Sequence, residues 1–468
     1  MLTHRRTCLS RFRALALFVV VGTIAVSVDC GSYSPRGGAT SAVQLRMGDA
    51  PADRVLTFEV SAGPISATPS GGAAVTLLAD SRRIELAHLS ETTEPLSLLS
   101  VPQGTYSSMT IKLSNPEVTF INSSGTLTKL EPSFSQSVTI NFNPALNITA
   151  AASVVNIDLN LINALTFDAQ GNVTGVAITA NSFTISAAAV AAGEQGDDDD
   201  EHGQLENITG MVTAVSGSTF TMTPGQNAVP LTFTTDENTE FKDGASLGTI
   251  LNTIVDVEGI TQSNGGLYAK EVESVENEAG MEAEGIITQV VGNPATQLSF
   301  VAQDGSGAGM GDAKVGGTVT TNVSGAQYRI DQGGMDTSSM GGLPASPNFP
   351  FDATTVHSGQ RVEVESSSTM SGMSTVAEKV KLRQQTLSGI VSGLGAPVST
   401  GPATFTLTVA PDSAFAMLSG QTTVTVFFQQ GTNLHDLASV SNGNTVRVRG
   451  LLFFTGSSFN MIAGRIGQ

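Results

Sequence analysis

From Val43 onward, apolar and polar residues alternate with a period of two along much of the chain. Thr57 and Glu59 separate Leu56, Phe58 and Val60, and Thr110 and Lys112 separate Met109, Ile111 and Leu113. In Val155–Leu161 every second side chain is apolar. Successive side chains of a strand point to opposite faces, so this alternation predicts strands with one face on a core and one in water, as in antiparallel sandwiches. Pro102-Gln103-Gly104 marks a turn ahead of a strand that begins near Tyr106. About eight such segments fall between Val43 and Val190, enough for one β-sandwich over 43–190.

Beyond residue 206 the pattern becomes a repeat. Gly210-Met211-Val212-Thr213 returns as Gly285-Ile286-Ile287-Thr288 and again as Gly389-Ile390-Val391-Ser392. A later element, Val255-Asp256-Val257-Glu258, has counterparts in Val362-Glu363-Val364 and in Val446-Arg447-Val448-Arg449. Each unit closes on an alanine followed three residues later by a branched side chain: Ala269/Val272, Ala377/Val380 and Ala463/Ile466. Units over 207–277, 281–383 and 386–467, each with about five short strands, are of a size to close as small OB-like barrels without exposed edges. The fold class expected is therefore all-β: an antiparallel sandwich followed by three tandem barrels. Residues 304–350 of the second unit, rich in Gly, Met and Ser, are expected to be a loop insertion.

Two segments break the alternation. Residues 191–206 hold Asp197–Glu201 and no apolar face, which predicts a self-repelling acidic linker. At the start, Arg5, Arg6, Arg11 and Arg13 precede the uncharged run Ala14–Val28, and Cys30 follows. At 15 residues that run is shorter than the roughly 20 a membrane-crossing helix needs. A basic start, a short apolar run and a processing site form the export pattern, so residues 1–29 are expected to be a signal peptide and 30–42 a flexible tether. Cys30 is the expected lipidation site.

Composition agrees with that location. The net charge is −19, and losing four arginines with the signal makes the mature chain more acidic still. Such a surface repels phosphate backbones, so nucleic acid is not an expected partner. Only Cys8 and Cys30 exist, which excludes a disulfide framework or a cysteine zinc site in the mature chain.

Three resemblances follow from particular residues. Met47-Gly48-Asp49-Ala50-Pro51-Ala52, Leu96-Ser97-Leu98-Leu99, Val101–Tyr106 and Val155–Asn160 make the N-terminal unit similar to the bacterial domain of unknown function four-three-eight-two family. That resemblance implies an exported, often lipid-anchored envelope protein. The glycine-and-valine elements of the repeats resemble the domain of unknown function five-six-six-six family, which implies small tandem barrels. Neither family implies catalytic residues. The context of Cys30 is similar to the bacterial lipobox, with Ser27 and Asp29 where that motif prefers leucine and a small residue. Gly31 after the cysteine implies sorting to the outer membrane.

Candidate chemistry is sparse. Counted from Asp198 as a calcium loop, Gly203 fits the sixth position, but Thr209 stands where the twelfth needs glutamate, so a solvated linker is the reading. Met310, Met335, Met340, Met370 and Met373, with His357 nearby, offer soft ligands for Cu(I). Flexible filler is the commoner role of such methionines. His88, His202, His357 and His435 are scattered, and no metalloprotease, P-loop, nucleophile-elbow or dinucleotide motif occurs. Asp49 and Asp53 flank Pro51 and are expected to cap a turn. The function expected is a non-enzymatic envelope protein without cofactor or bound metal. It would be attached to the membrane through a lipid on Cys30, with its β-domains binding or scaffolding an unknown ligand. The localisation expected is the outer membrane, otherwise periplasmic or secreted. The alternatives are copper handling by the methionine-rich loop and an unrecognised hydrolase.

Overall fold

A computed structural model of the chain describes residues 39–50, 52–89, 93–190, 204–224, 230–242, 244–262, 264, 266–274, 281–306, 314–332, 335, 349–367, 374–435 and 437–467. The N-terminal unit contains β1 (Thr40–Ala50), β2 (Val55–Pro69), β3 (Val75–Leu78), β4 (Arg82–Glu85), β5 (Glu94–Pro102), β6 (Gly104–Ile121), β7 (Leu127–Leu130), β8 (Ser135–Ile148) and β9 (Ala152–Asn160). A one-turn helix α1 (Leu161–Ala164) follows, then β10 (Leu165–Phe167), β11 (Val173–Val176) and β12 (Phe183–Ala189). These strands outnumber the eight that alternation reveals, because β3, β4, β7, β10 and β11 are three or four residues long and too short to show a period.

One layer of the sandwich is ordered β12-β9-β1-β5. The other is ordered β3-β2-β6-β7, with β4 beside β2 and β8 beside β6. Their inner faces meet through Val43, Leu45 and Met47 on one side and Phe58, Val60, Met109 and Ile111 on the other. The sandwich is not wholly antiparallel, because β1 and β9 run parallel from Ala42↔Ala152 to Ala50↔Asn160. The long excursion through the second layer returns the chain in the same direction, which a parallel pair requires.

The first barrel consists of β13 (Gln204–Ser216), β14 (Thr219–Pro224), β15 (Leu231–Thr234), β16 (Glu240–Lys242), β17 (Ile254–Thr261) and β18 (Leu267–Ser274). β13 begins inside the segment expected to be linker, whose residues 191–203 lie outside the described ones. The second repeat unit consists of β19 (Met281–Gly292), β20 (Ala295–Ser306), β21 (Thr318–Asn322), β22 (Gln327–Ile330), β23 (Arg361–Ser366), β24 (Ser374–Val376) and β25 (Lys379–Leu382). The third consists of β26 (Gln384–Ser392), β27 (Ala403–Thr408), the short helix α2 (Ala414–Ser419), β28 (Thr423–Leu434), β29 (Thr445–Phe454) and β30 (Phe459–Gly467). β21 and β22 correct the expectation that 304–350 is simply a loop. Its glycines and serines hide the alternation Thr318-Val319-Thr320, whose valine is fully buried.

The third barrel closes in the order β26-β27-β28-β30-β29, with β28 and β30 parallel. The first barrel closes the same way, since β18 pairs in parallel with β15 through Leu267 and Tyr268, then with β16 through Glu271–Glu273. The second unit corrects the expectation of three barrels. Its β24 pairs with β21 and its β25 with β22, again in parallel, but among the described residues β24 and β25 do not pair with each other, and the seven strands form an open sheet ordered β22-β25-β23-β19-β20-β21-β24. The recurring alanines fall at this exchange of partners near the end of each unit, and Ala269, Ala377 and Ala463 are all buried there. Glycine serves the other corners. At Gly285 a Cβ would collide with the Val301 carbonyl oxygen, and the register between β19 and β20 shifts there.

Residues Ala39–Gln468 form one compact unit rather than a string of separate modules. Leu451, Phe453 and Ile462 of the third barrel share a core with Phe300, Val362 and Leu382 of the second unit. A smaller cluster joins Leu56 and Ile121 of the sandwich to Val301 and Ala414 of the two later units. No helix among the described residues is long and apolar enough to cross a membrane.

Candidate functional site

The later units meet the sandwich around a cavity and an adjoining cluster of charge. Alternation on three neighbouring strands creates the cluster. In β19 and β23, Glu282 faces Glu365 and Glu284 faces Glu363; in β23 and β25, Glu363 faces Lys381 and Glu365 faces Lys379. All of these point away from the core of the second unit, yet Glu284, Glu363, Lys381 and the following Arg383 are buried. The first barrel covers them with Asp256 and Glu273.

The charges are paired across that seam. Lys381 Nζ lies 2.6 Å from Glu273, 3.0 Å from Glu363 and 2.7 Å from Glu365. Arg383 reaches Glu284 at 3.4 Å, Glu363 at 3.2 Å and Asp256 at 3.8 Å, and also pairs with Asp331. Arg361 Nε is 2.8 Å from Glu284. Burial pushes the Asp256 carboxyl up to about 7, against the pull of Arg383. Burial and the neighbouring Glu363 raise Glu282. Burial acts on Glu284 in the same direction, but Arg361 and Arg383 outweigh it and hold this carboxyl below its ordinary value.

Glu282, Glu363 and Glu365 bring carboxylate oxygens within 4.8 Å of one another, a spacing a metal ion could bridge. Lys381 already contacts two of the three, so the group is supplied with its cation.

Beside the cluster lies a cavity of about 110 Å³ between β2, β23, β26 and α2. Ser413 Oγ accepts from Ala416 N to start α2, and Gly420 ends it in the left-handed conformation at φ 71°. The Ala414 N–H donates to the Asp53 carbonyl at 2.6 Å, and Arg54 pairs with Asp412 at 2.8 Å, which ties the helix to the sandwich. Leu56, Ile286, Leu387, Val409 and Phe415 supply apolar wall. The polar lining includes His88, Gln303, Arg361 and Gln385.

Second contacts hold these polar groups in place. Gln303 Nε2 donates to the Leu56 carbonyl at 2.8 Å, and Gln385 accepts from the Arg361 N–H at 2.7 Å. His88 Nδ1 lies 2.7 Å from Glu85, whose carboxylate also accepts from the N–H groups of Phe58, Ala87 and His88. Burial opposes a charge on His88, but Glu85 outweighs it and the net shift is upward. Within this lining Gln303 Oε1 and Arg361 Nη2 are buried without a hydrogen-bond partner, and Arg361 Nε has its ion pair with Glu284 alone.

The residues singled out from sequence are dispersed. Cys30, the acidic run Asp197–Glu201, His202, Met310, Met340, Met370 and Met373 lie outside the described residues. Met335 packs over Gly464 of the third barrel. His357 stacks near Phe454, with ring centroids 4.1 Å apart, and His435 lies 2.7 Å from Arg465. Asp53 contributes its backbone carbonyl rather than a side-chain turn cap, and its carboxyl is raised by burial and by Asp412. Sequence reasoning found none of the cluster. The available signal was charge of opposite sign at matching alternate positions, Glu282/Glu284 and Glu363/Glu365 against Lys379/Lys381/Arg383.

Residues 209–273, most of the first barrel, match the family model described as Domain of unknown function (DUF5666). No curated protein matches the chain.

Proposed function

We propose that the protein is a non-enzymatic, exported, lipid-anchored component of a bacterial envelope, in which the sandwich and repeat units act as one binding platform. The observation that carries this reading is the shared junction: β-units of two kinds bury charged as well as apolar surface on one another and so present a single body. The arginine-rich start, the short apolar run and Cys30 support export and anchoring. The likeness of the N-terminal unit to the domain of unknown function four-three-eight-two family supports the same reading, and Gly31 after the cysteine favours the outer membrane as the site of the anchor.

The test is mass spectrometry of the mature N-terminus together with fractionation of a Cys30→Ala variant. A diacylglyceryl mass on Cys30, and release of the variant from the membrane fraction, are the expected results. An unprocessed chain in the cytosol would refute the reading.

A further inference from the structure

The junction cavity carries features of a receptor for a small molecule. Arg361 and Gln303 are only 3% and 5% exposed, and Arg361 Nη2 and Gln303 Oε1 have neither a hydrogen bond nor an ion pair. A buried polar atom is stable only when paired, so two such residues lining one cavity suit a ligand that would pair with both. Their chemistry is complementary. Gln303 must point its amide nitrogen at the Leu56 carbonyl, which can only accept, and this fixes Oε1 as an acceptor. Arg361 Nη2 is a cationic donor, so such a ligand presents an anionic or carbonyl oxygen to one residue and a donor to the other.

The lining is mixed, with His88, Gln303, Arg361 and Gln385 facing five apolar side chains, and this suits a ligand that carries carbon as well as polar atoms. An apolar cavity of about 150 Å³ accommodates benzene, so about 110 Å³ admits roughly four to six non-hydrogen atoms. The donor on the ligand should be neutral, because an ammonium would sit among Arg361 and His88.

We propose that the cavity between the sandwich, the second unit and the third barrel binds a small hydroxycarboxylic acid. The carboxylate meets Arg361, the hydroxyl donates to Gln303 Oε1, and the short carbon chain lies against Leu56, Leu387 and Phe415. This inference rests on the reading of the protein as a binding platform and gives that platform a ligand class.

Titration of the whole chain with lactate, propionate and lactamide, followed by calorimetry or NMR, is the test. Lactate should bind about tenfold more tightly than propionate, which lacks the hydroxyl, and lactamide, which lacks the charge, should bind more weakly still. Gln303→Leu should bring lactate down to the affinity of propionate. Ser388→Phe, which fills the half-buried rim of the cavity, should abolish binding of both. Equal affinity for lactate and propionate, binding that survives Ser388→Phe, or no signal up to about 10 mM would overturn the proposal. Failure here with a lipid found on Cys30 leaves the platform reading intact. Lactate bound but converted would keep the cavity assignment and remove the non-enzymatic one.

Discussion

Strands β8 and β23 share a pattern and differ in fate. In β8, Ser137, Thr139 and Asn141 alternate with Val138 and Ile140, and the polar set is exposed. In β23, Arg361, Glu363 and Glu365 alternate with Val362 and Val364, yet Arg361 and Glu363 are as buried as the valines. A strand's period assigns side chains to two faces; it does not say what covers the second. The composition of that face does. Hydroxyls and amides are satisfied by water, whereas Glu363 and Glu365 stand beside Lys381, which also reaches Glu273 of the first barrel, and Glu363 pairs with Arg383 just after β25. Matched opposite charges on neighbouring strands are suited to a seam between repeat units.

The sharpest way to break that contrast is Arg383→Met. This side chain reaches carboxylates of both the first barrel and the second unit, and its loss leaves buried acids without their cation, so destabilisation of about 3–5 kcal/mol is expected by urea denaturation. A loss under about 1 kcal/mol would make β23 no different from a wet strand.

A middle-sized effect concerns pH. The Asp256 carboxyl lies at about 7 in the folded chain against an ordinary value of 3.8. A raised folded value means that its contribution is full below the unfolded value and is lost as pH climbs through about 7. Asp256→Asn mimics the protonated form, so it should gain on the wild type between pH 5 and pH 8, by an amount on the order of 3 kcal/mol. A stability difference that stays flat across this range would contradict the burial of Asp256 in the seam.

The smallest effect belongs to β8. Thr139→Val on the exposed face should shift stability by no more than about 0.5 kcal/mol. A larger loss would show that this face, too, is covered.

The strands that form each unit were largely legible in the sequence, because Leu56-Phe58-Val60 and Val155-Ile157-Leu159 keep strict alternation. The alanine of each closing element was legible as a signature, though its role at the exchange of partners was not. The parallel pairing of β1 with β9 was invisible, since Val43 and Val155 read alike whichever way their strands run. The junction cavity was equally hidden. Its wall joins Leu56, Ile286, Leu387 and Phe415, residues from four elements whose approach depends on how whole units pack. His88 looked isolated because its partner Glu85 matters only once a tight turn brings the two together.

The closure of the third barrel has a consequence for the order of assembly. β30 pairs in parallel with β28 and antiparallel with β29, and its Ile462 also belongs to the core shared with the second unit. In a chain that emerges N-terminus first, neither the last barrel nor that shared core is complete until Phe459–Gly467 arrives. Completion of the third barrel thus waits for this strand, and a cut just before Phe459 should expose apolar surface on the second and third units at once.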